Sequence, residues 1–247
     1  MKSFAILFKN ELKLNIRNMN MVIFAVIMPL VVLGILGFIY GSSPASASDN
    51  FTFLEQSIGA LCAISILAGG LMGLPLVISE YRELKILKRF QVTPVSPVKL
   101  LAVEYLIYVL YAIVSMITII AGAMLFWKAT FPVSGLVFVA SWLLTATSTL
   151  SIGLMVGGIA KNTKSAGVIA SLLYFPMLLF SGATLPLEVM PDLMQEIVSL
   201  SPMTQGIQLM KAAYLGLNGG IGLIPILTMG AVTLICTTIA IKFFKWE

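Results

Sequence analysis

The chain has 247 residues, of which 59% are hydrophobic and 10% are charged, and its formal net charge is +5. Because a soluble domain has about 25% charged residues, this composition excludes a soluble globular protein and indicates a multi-pass membrane protein. The sequence contains no histidine, which excludes His-ligated metal sites, Ser-His-Asp triads and histidine proton relays.

Residues 1–18 predict an amphipathic helix that lies in the cytoplasmic membrane interface. Phe4, Leu7 and Leu12 are among its apolar residues, and Lys9 and Lys13 among its cations. A basic amphipathic helix beside a membrane span usually lies in the plane of the interface. The alternative is a helix that only anchors the topology.

Six uncharged runs follow, and each is long enough to cross a bilayer, which needs roughly 20 apolar residues. The predicted spans are residues 21–40, 56–79, 101–127, 132–160, 165–185 and 219–241. The runs are continuously apolar rather than alternating, so a β-barrel is not expected. The predicted fold is therefore an all-α integral membrane protein, with one transmembrane domain over residues 1–247.

The distribution of cations predicts the orientation, because Lys and Arg collect in cytoplasmic loops. Of the 15 Lys and Arg residues, all but Lys128 and Lys211 lie in segments that this topology places in the cytoplasm. Both termini are thus expected in the cytoplasm, in a plasma membrane. The net positive charge follows from the topology, so no nucleic-acid partner is expected.

The loop of residues 79–100 mixes acids and cations at helical spacing, and the prolines of "VTPVSP" then stop the helix. The pattern predicts a short surface helix on which a cytoplasmic partner could dock. A loop that only sets the topology is the alternative. Glu104 follows about one turn inside the third span, where we expect it to cap a nearby cation at the interface.

The stretch "SGATLPLEVMPDLMQEIVSLSP", residues 181–202, is too broken to span a bilayer and is placed outside the cell. Gly182 and Pro186 are expected to end the fifth span, and Pro191 with Asp192 to begin a new amphipathic helix. We interpret the stretch as an external re-entrant or interfacial helix pair between the fifth and sixth spans. An amphipathic loop resting on the headgroups is the alternative.

Two of these segments carry a family resemblance. "EYRELKILKRFQVTPVSP" resembles the loop after the second helix of ABC-2 type permeases, the membrane subunits of one class of ATP-binding cassette exporter, in its drug- and antibiotic-export-like branch. "LFSGATLPLEVMPDLMQEIVSLSPMTQGIQLMKAAYLG" resembles the end of that family's fifth helix. Members commonly have Gly where this chain has Lys85. With six spans in agreement, the resemblance covers essentially the whole chain.

The resemblance implies a coupling helix within Ser79–Pro97 that contacts a separate ATPase subunit, with residues 1–18 as a second contact. The predicted coupling residues are Glu80, Tyr81, Arg82, Glu83, Leu87, Lys88, Arg89, Phe90, Thr93 and Pro94. The chain has no G-x-x-x-x-G-K-[ST] motif, so ATP and Mg²⁺ are expected in the partner. The chain itself is expected to be neither an enzyme nor a holder of a cofactor or metal. Two ATPase subunits and a second permease, either a copy or a sister chain, are the implied partners, together with membrane lipids.

By the family's arrangement, the first, second and fifth helices face the dimer axis. The candidate pathway residues are Phe24, Phe38, Tyr40, Met72, Tyr174, Phe175, Met177 and Phe180, and plain packing or lipid contact is the alternative for each. Residues 181–202 are predicted to roof this pathway as an external gate, with gate residues Ser181, Gly182, Pro186 and Pro191.

The expected function is the permease subunit of an exporter of a hydrophobic or amphipathic compound, such as a drug, an antibiotic or a lipid-like molecule. Export of a lipid-linked polysaccharide and immunity to an antibiotic peptide are alternatives within the family. An ion-coupled transporter or a membrane-embedded enzyme is disfavoured, because mid-span acids and histidine are both missing from the sequence. A membrane scaffold would leave the coupling-like loop unexplained.

Overall fold

A computed structural model describes residues 2–17, 19–41, 43, 51–86, 97–184, 190–217 and 222–243. The regular elements in these ranges are helices: α1 (Lys2–Arg17), α2 (Ile23–Tyr40), α3 (Phe53–Glu83), α4 (Pro97–Trp127), α5 (Gly135–Ile159), α6 (Thr163–Phe180), α7 (Asp192–Ser199), α8 (Pro202–Leu215) and α9 (Leu223–Phe243). Six of them, α2 to α6 and α9, are long and apolar enough to cross a membrane. The predicted all-helical class and the number of spans are confirmed.

The six long helices run alternately up and down, so the bundle has two distinct ends. The end that we call the basic end carries α1, residues 80–86, residues 97–99, the α5–α6 turn and the last turn of α9. The other end, which we call the opposite end, carries the α2–α3 and α4–α5 connections.

Helix α3 forms the centre of the bundle. It begins at Phe53 because Thr52 and Glu55 form a capping box, in which the Thr52 hydroxyl accepts the Glu55 N–H at 3.2 Å and Glu55 accepts the Thr52 N–H at 2.8 Å. From there α3 is apolar on all sides and most of its residues are buried. Such a helix must be enclosed by others, and α2, α4, α5, α6 and α8 pack around it.

Two spans contain a π-helical turn, at Ile23–Ile27 in α2 and at Ala68–Gly73 in α3. A π-turn interrupts the regular backbone hydrogen bonding of a helix and often occurs at functional sites. The carbonyl of Ala25, inside the first π-turn, accepts a hydrogen bond from the buried Ser65 hydroxyl of α3 at 2.5 Å. The irregular part of α2 is thereby fastened to α3.

Glycines allow the central helices to touch through their backbones. A Cβ atom at Gly153 of α5 would lie 1.9 Å from the carbonyl oxygen of Gly70 in α3, and one at Gly206 of α8 would lie 2.2 Å from the Thr145 hydroxyl of α5. Only glycine fits at these crossings. Close packing through small residues is the usual way in which helices associate inside a membrane.

Helix α8 is inserted between α3 and α5 rather than lying on the surface. Most of its residues are buried, and its first turn reaches the middle of α5, where the Met203 sulfur lies 4.0 Å from the Thr149 hydroxyl. Its last turn lies at the opposite end, where the Tyr214 carbonyl accepts the Val133 N–H at 3.1 Å. Helix α8 therefore lies alongside the half of α5 nearest the opposite end.

Candidate coupling site

The last turn of α3 at the basic end carries the four predicted coupling residues that the structure describes, Glu80 to Glu83. The other six, Leu87, Lys88, Arg89, Phe90, Thr93 and Pro94, lie outside the described residues. Glu80 is exposed. Each of the next three residues, 81–83, contacts a different part of the chain.

Arg82 is buried and connects α3 to the end of α5. Its guanidinium donates to the Gly158 carbonyl at 3.1 Å and also to the Ala160 carbonyl. The last carbonyls of a helix have no partners within that helix, and a cation near them is favourable. Arg82 therefore positions the coupling segment within its own chain, and its direct contact with a partner stays a prediction.

Glu83 connects the same turn to the start of α6. Its carboxylate accepts the backbone N–H of Thr163, the first residue of α6, at 3.0 Å. An acid at the positive N-terminal end of a helix is favourable. Asn162 caps the same helix by accepting the Ser165 N–H at 2.8 Å. Two backbone N–H groups in the first turn of α6 are therefore satisfied by side chains, those of Glu83 and Asn162.

Tyr81 connects the turn to α1 and α4 through a buried polar cluster. Its hydroxyl donates to Glu11 of α1 at 2.6 Å and to Glu104 of α4 at 3.3 Å. The Asn15 amide of α1 donates to Glu104, also at 3.3 Å, and Glu11, Asn15 and Glu104 are all buried. Among the described residues the neighbours of the Glu104 carboxyl are thus the Asn15 amide, the Tyr81 phenol and the Glu11 carboxyl rather than the expected cation. The cluster holds α1 against the bundle.

The backbone reverses just after this turn, at Lys85. Its φ of 56° lies in the left-handed region, and its N–H donates to the Arg82 carbonyl at 3.0 Å. This region favours glycine, because a Cβ atom is crowded there. The glycine that the resemblance leads us to expect at this position would adopt this backbone without strain.

Residues 81–83 together link α3 to α1, α4, α5 and α6 within one turn of helix. No group of His, Cys, Asp and Glu among the described residues is suited to hold a metal. A displacement of this turn would act on four other helices at once, α1, α4, α5 and α6.

A second polar cluster closes the opposite end. Glu55 accepts both the N–H and the hydroxyl of Thr130, at 2.8 and 2.6 Å, and the Tyr214 hydroxyl donates to the Thr130 carbonyl at 2.5 Å. The start of α3, the α4–α5 connection and the end of α8 are joined in this way. We call Thr52, Glu55, Thr130 and Tyr214 the opposite-end latch. Sequence reasoning missed it, although Thr52-x-x-Glu55 is a recognisable capping signal.

The predicted gate residues border the segment before α7. Ser181 is buried and follows Phe180, the last residue of α6. Gly182 comes next, and its φ of 84° is left-handed, so the helix does not continue. Pro191 directly precedes α7, while Pro186 lies outside the described residues. On α7 the apolar face is divided: Val198 is buried, whereas the apolar residues Leu193, Ile197 and Leu200 are exposed.

The predicted pathway residues lie on α2 and α6, two of the three least buried spans, and on α3. Phe24, Phe38, Tyr40 and Phe175 are exposed, and Met72, Tyr174, Met177 and Phe180 are half-buried. Phe38 is 88% exposed although its ring meets Trp127 edge-on. Both α2 and α6 therefore present apolar surface that this chain leaves uncovered.

These features define a helical membrane protein in which the last turn of α3, residues 81–83, contacts α1, α4, α5 and α6. The chain belongs to the ABC-2 type transporter family, whose model matches residues 2–215. This assignment agrees with the resemblance carried by the two segments of residues 80–97 and 179–216.

Curated relatives agree with this assignment over part of their length. The chain is 31% identical over 117 residues to the inner membrane transport permease YhhJ of Escherichia coli strain K12, which covers 46% of this chain and 31% of the relative. It is 34% identical over 76 residues to the capsule polysaccharide export inner-membrane protein CtrC of Neisseria meningitidis, covering 31% of this chain and 29% of that protein. The chain thus matches about a third of the length of these relatives.

Proposed function

We propose that this chain is the permease subunit of an ATP-binding cassette exporter that moves a hydrophobic or amphipathic compound, driven by a separate ATPase subunit. The observation that carries the proposal is the linkage made by residues 81–83. A partner that binds and displaces residues 79–97 would move α3, and through α3 it would move α1, α4, α5 and α6.

The proposed stoichiometry is two permeases with two ATPases. Helices α2 and α6 leave apolar side chains uncovered, and the pathway would form where those of two subunits face each other. The second permease would be another copy of this chain or a sister chain. ATP and Mg²⁺ would be bound by the ATPases.

The proposed orientation places the basic end in the cytoplasm, where the ATPases are. Helix α1 would then lie in the cytoplasmic interface. Its polar residues Glu11 and Asn15 face the bundle, while the apolar Ile6, Leu14 and Ile16 are exposed and available to lipid.

The proposed external gate is the pair α7 and α8. The burial of α8 between α3 and α5, with its first turn at the middle of α5, supports a re-entrant course for the chain. Non-helical backbone at that depth is tolerated only where protein or a water-filled cavity surrounds it. The opposite-end latch would hold α8 in the closed position.

The exposed side chains on α2 and α6 are aromatic and aliphatic, and they favour a hydrophobic cargo such as a drug, an antibiotic or a lipid-like molecule. A second candidate cargo is a lipid-linked polysaccharide, which the similarity to CtrC favours. The two proposals differ in what the transporter must accept, a small lipophilic molecule or a sugar chain on a lipid.

Transport by purified proteins tests the proposal. The permease is reconstituted into proteoliposomes with the ATPase that we expect its neighbouring gene to encode, and ATP-dependent movement of lipophilic dyes is measured. Dye movement that requires both chains and ATP supports the proposal. ATPase activity that responds only to lipid-linked sugar would favour the second candidate, and movement without the ATPase would contradict both.

A further inference from the structure

Two carboxyl side chains meet in the buried polar cluster between α1, α3 and α4. Glu11 of α1 is 6% exposed and Glu104 of α4 is fully buried, and their carboxyls are within hydrogen-bond reach of each other. We call Glu11 and Glu104 the carboxyl pair. Ionised carboxylates only accept hydrogen bonds, and two adjacent buried carboxylates repel each other. Such a contact is favourable where one carboxyl carries a proton and donates it to the other.

The hydrogen bonds around the carboxyl pair leave room for this proton. The Tyr81 hydroxyl has a single hydrogen, and it lies 2.6 Å from Glu11 and 3.3 Å from Glu104. The Asn15 amide contacts the Glu11 backbone carbonyl at 3.1 Å and the Glu104 carboxyl at 3.3 Å. These contacts give the four carboxyl oxygens two donated hydrogens, and only the bond to Glu11 is short. A proton between the two carboxyls adds a third donor at the place where they meet.

The tyrosines near the carboxyl pair bring no positive charge. Tyr81 of α3 and Tyr108 and Tyr111 of α4 all interact with Glu104, and a tyrosine is neutral at physiological pH. The buried Tyr108 hydroxyl has no hydrogen-bond partner in the part of the chain that the structure describes. It therefore gives no hydrogen bond to a second negative charge on the pair.

The charged residues of the same helices are mostly exposed. Glu80, on the last turn of α3, is exposed and adds a negative charge to this end. Arg82 is buried, but it donates to the end of α5. Two charges on a buried pair are costly unless cations and hydrogen bonds compensate them. The other cations that the structure describes on α1 and α4 are exposed to solvent, namely Lys9, Lys13, Arg17 and Lys99.

We propose that Glu11 and Glu104 share one proton and that this proton holds α1 against α3 and α4, as a pH-sensitive switch. When the proton passes to water at the basic end, the carboxylic acid becomes a second carboxylate, and the charge of the pair changes from −1 to −2. The two carboxylates then repel each other and α1 loosens. Apolar side chains of α1 keep it near the bundle, namely Phe4, Leu7, Phe8 and Leu12.

The direction of the pH dependence follows from the number of bound protons. Docked α1 holds one proton more than loosened α1, in which both carboxyls reach water and ionise as ordinary glutamates do above about pH 5. Raising the pH therefore favours loosened α1, by up to about tenfold in the equilibrium constant for each pH unit. A loosened α1 would weaken the second contact with the ATPase, and this consequence alone rests on the proposed function.

Infrared spectra of the full chain in nanodiscs detect the proton. A protonated carboxylic acid has a carbonyl stretching band separate from the bands of carboxylates. We expect this band in the parent chain at neutral pH and its loss in both Glu11→Gln and Glu104→Gln, because the remaining carboxyl is then ionised and accepts from the glutamine amide. Glu196→Gln changes an exposed acid on α7 and should keep the band. A parent chain without the band, or a band that survives in both pair variants, would overturn the proposal.

Amide exchange measures the effect of the proton on α1. The parent chain and Glu104→Gln are compared at the same pH, so that the intrinsic pH dependence of exchange cancels. The glutamine amide donates to Glu11 at every pH and so imitates the protonated carboxyl. We expect the ratio of parent to variant rates at residues 8–15 to rise by up to about tenfold for each pH unit above about pH 5. The ratio at residues 140–150 of α5 should stay constant.

Glu11→Gln gives the same comparison from the other carboxyl if Glu104→Gln does not fold. A ratio at residues 8–15 that stays constant with pH would contradict the switch. Neither measurement includes the ATPase, so a negative result would overturn the shared proton and leave the proposed function untouched.

Discussion

The guanidinium of Arg82 lies 3.1 Å from the carbonyl oxygen of Gly158, at the end of a helix that begins more than 50 residues later in the chain. The contact is buried and joins the last turn of α3 to the last turn of α5. It makes the last turn of α3 part of the bundle core.

Replacing Arg82 with Met should loosen this joint. The variant loses two hydrogen bonds from a charged group and leaves two carbonyls without that partner, so we expect a loss of about 2 kcal/mol or more in stability. Thermal unfolding in detergent and amide exchange at residues 158–163 measure the effect. Lys164→Met removes an exposed cation from the same end and should change neither. Unaltered amide exchange at residues 158–163 in Arg82→Met would show that the Arg82 contact does not stabilise the end of α5.

Gly153→Ala should disrupt the crossing of α3 and α5. The added methyl group would overlap the Gly70 carbonyl oxygen, and backbone cannot move aside as a flexible side chain can. Overpacking of this kind typically costs about 1–3 kcal/mol. The matched change is Gly230→Ala in α9, where nothing lies within 4 Å of the new atom. The melting temperatures of the two variants are compared, and equal values would contradict the close crossing.

Lys85 should tolerate glycine and reject a β-branched residue. At a φ of 56° the left-handed backbone costs a non-glycine residue roughly 1–2 kcal/mol. We therefore expect Lys85→Gly to be at least as stable as the parent chain and Lys85→Val to be clearly less stable. Chemical denaturation of both variants gives the order. If Val were as stable as Gly, the turn would not have the left-handed geometry.

Glu55→Gln should open the opposite-end latch. In glutamine an NH₂ group replaces one carboxylate oxygen and cannot accept the backbone N–H of Thr52 or Thr130 that faces it. At least one of the four hydrogen bonds to Glu55 is therefore lost, at about 1 kcal/mol or more. Faster amide exchange is expected at residues 128–134. Glu196→Gln is the comparison, because Glu196 is exposed on α7. Equal amide exchange at residues 128–134 in the two variants would contradict the role of Glu55 in the opposite-end latch.

The sequence predicted the helices well because the hydropathy signal is local. Each span contains a long uncharged run, and such runs are visible without knowledge of the fold. The first residue of a helix was harder to predict. The second span was predicted to begin at residue 56, because Glu55 is charged and was excluded from it. In the structure Glu55 lies inside the first turn of α3, where Thr52 and Thr130 satisfy its carboxylate.

Contacts between distant segments could not be read from the sequence. Arg82 and Gly158 are 76 residues apart, and the spacing of charges says nothing about which helix end a cation will meet. The contacts of Arg82 with α5 were therefore missed, while its contact with a partner stays a prediction. A cation was expected beside Glu104, where the described residues place Asn15 and Tyr81. The π-turns of α2 and α3 were also missed, because no residue pattern marks them clearly. The coupling role of Leu87 to Pro94 stays a prediction.

Binding of the ATPase tests the central claim most directly. The permease and the ATPase that we expect a neighbouring gene to encode are produced together, and the permease is purified through a tag. We expect equal amounts of both chains with the parent permease. The ATPase should be lost with Arg89→Glu, or with Leu87→Asp and Phe90→Asp together, and retained with Lys128→Glu. Normal ATPase binding and transport in the Arg89 and Leu87/Phe90 variants would contradict coupling through residues 79–97.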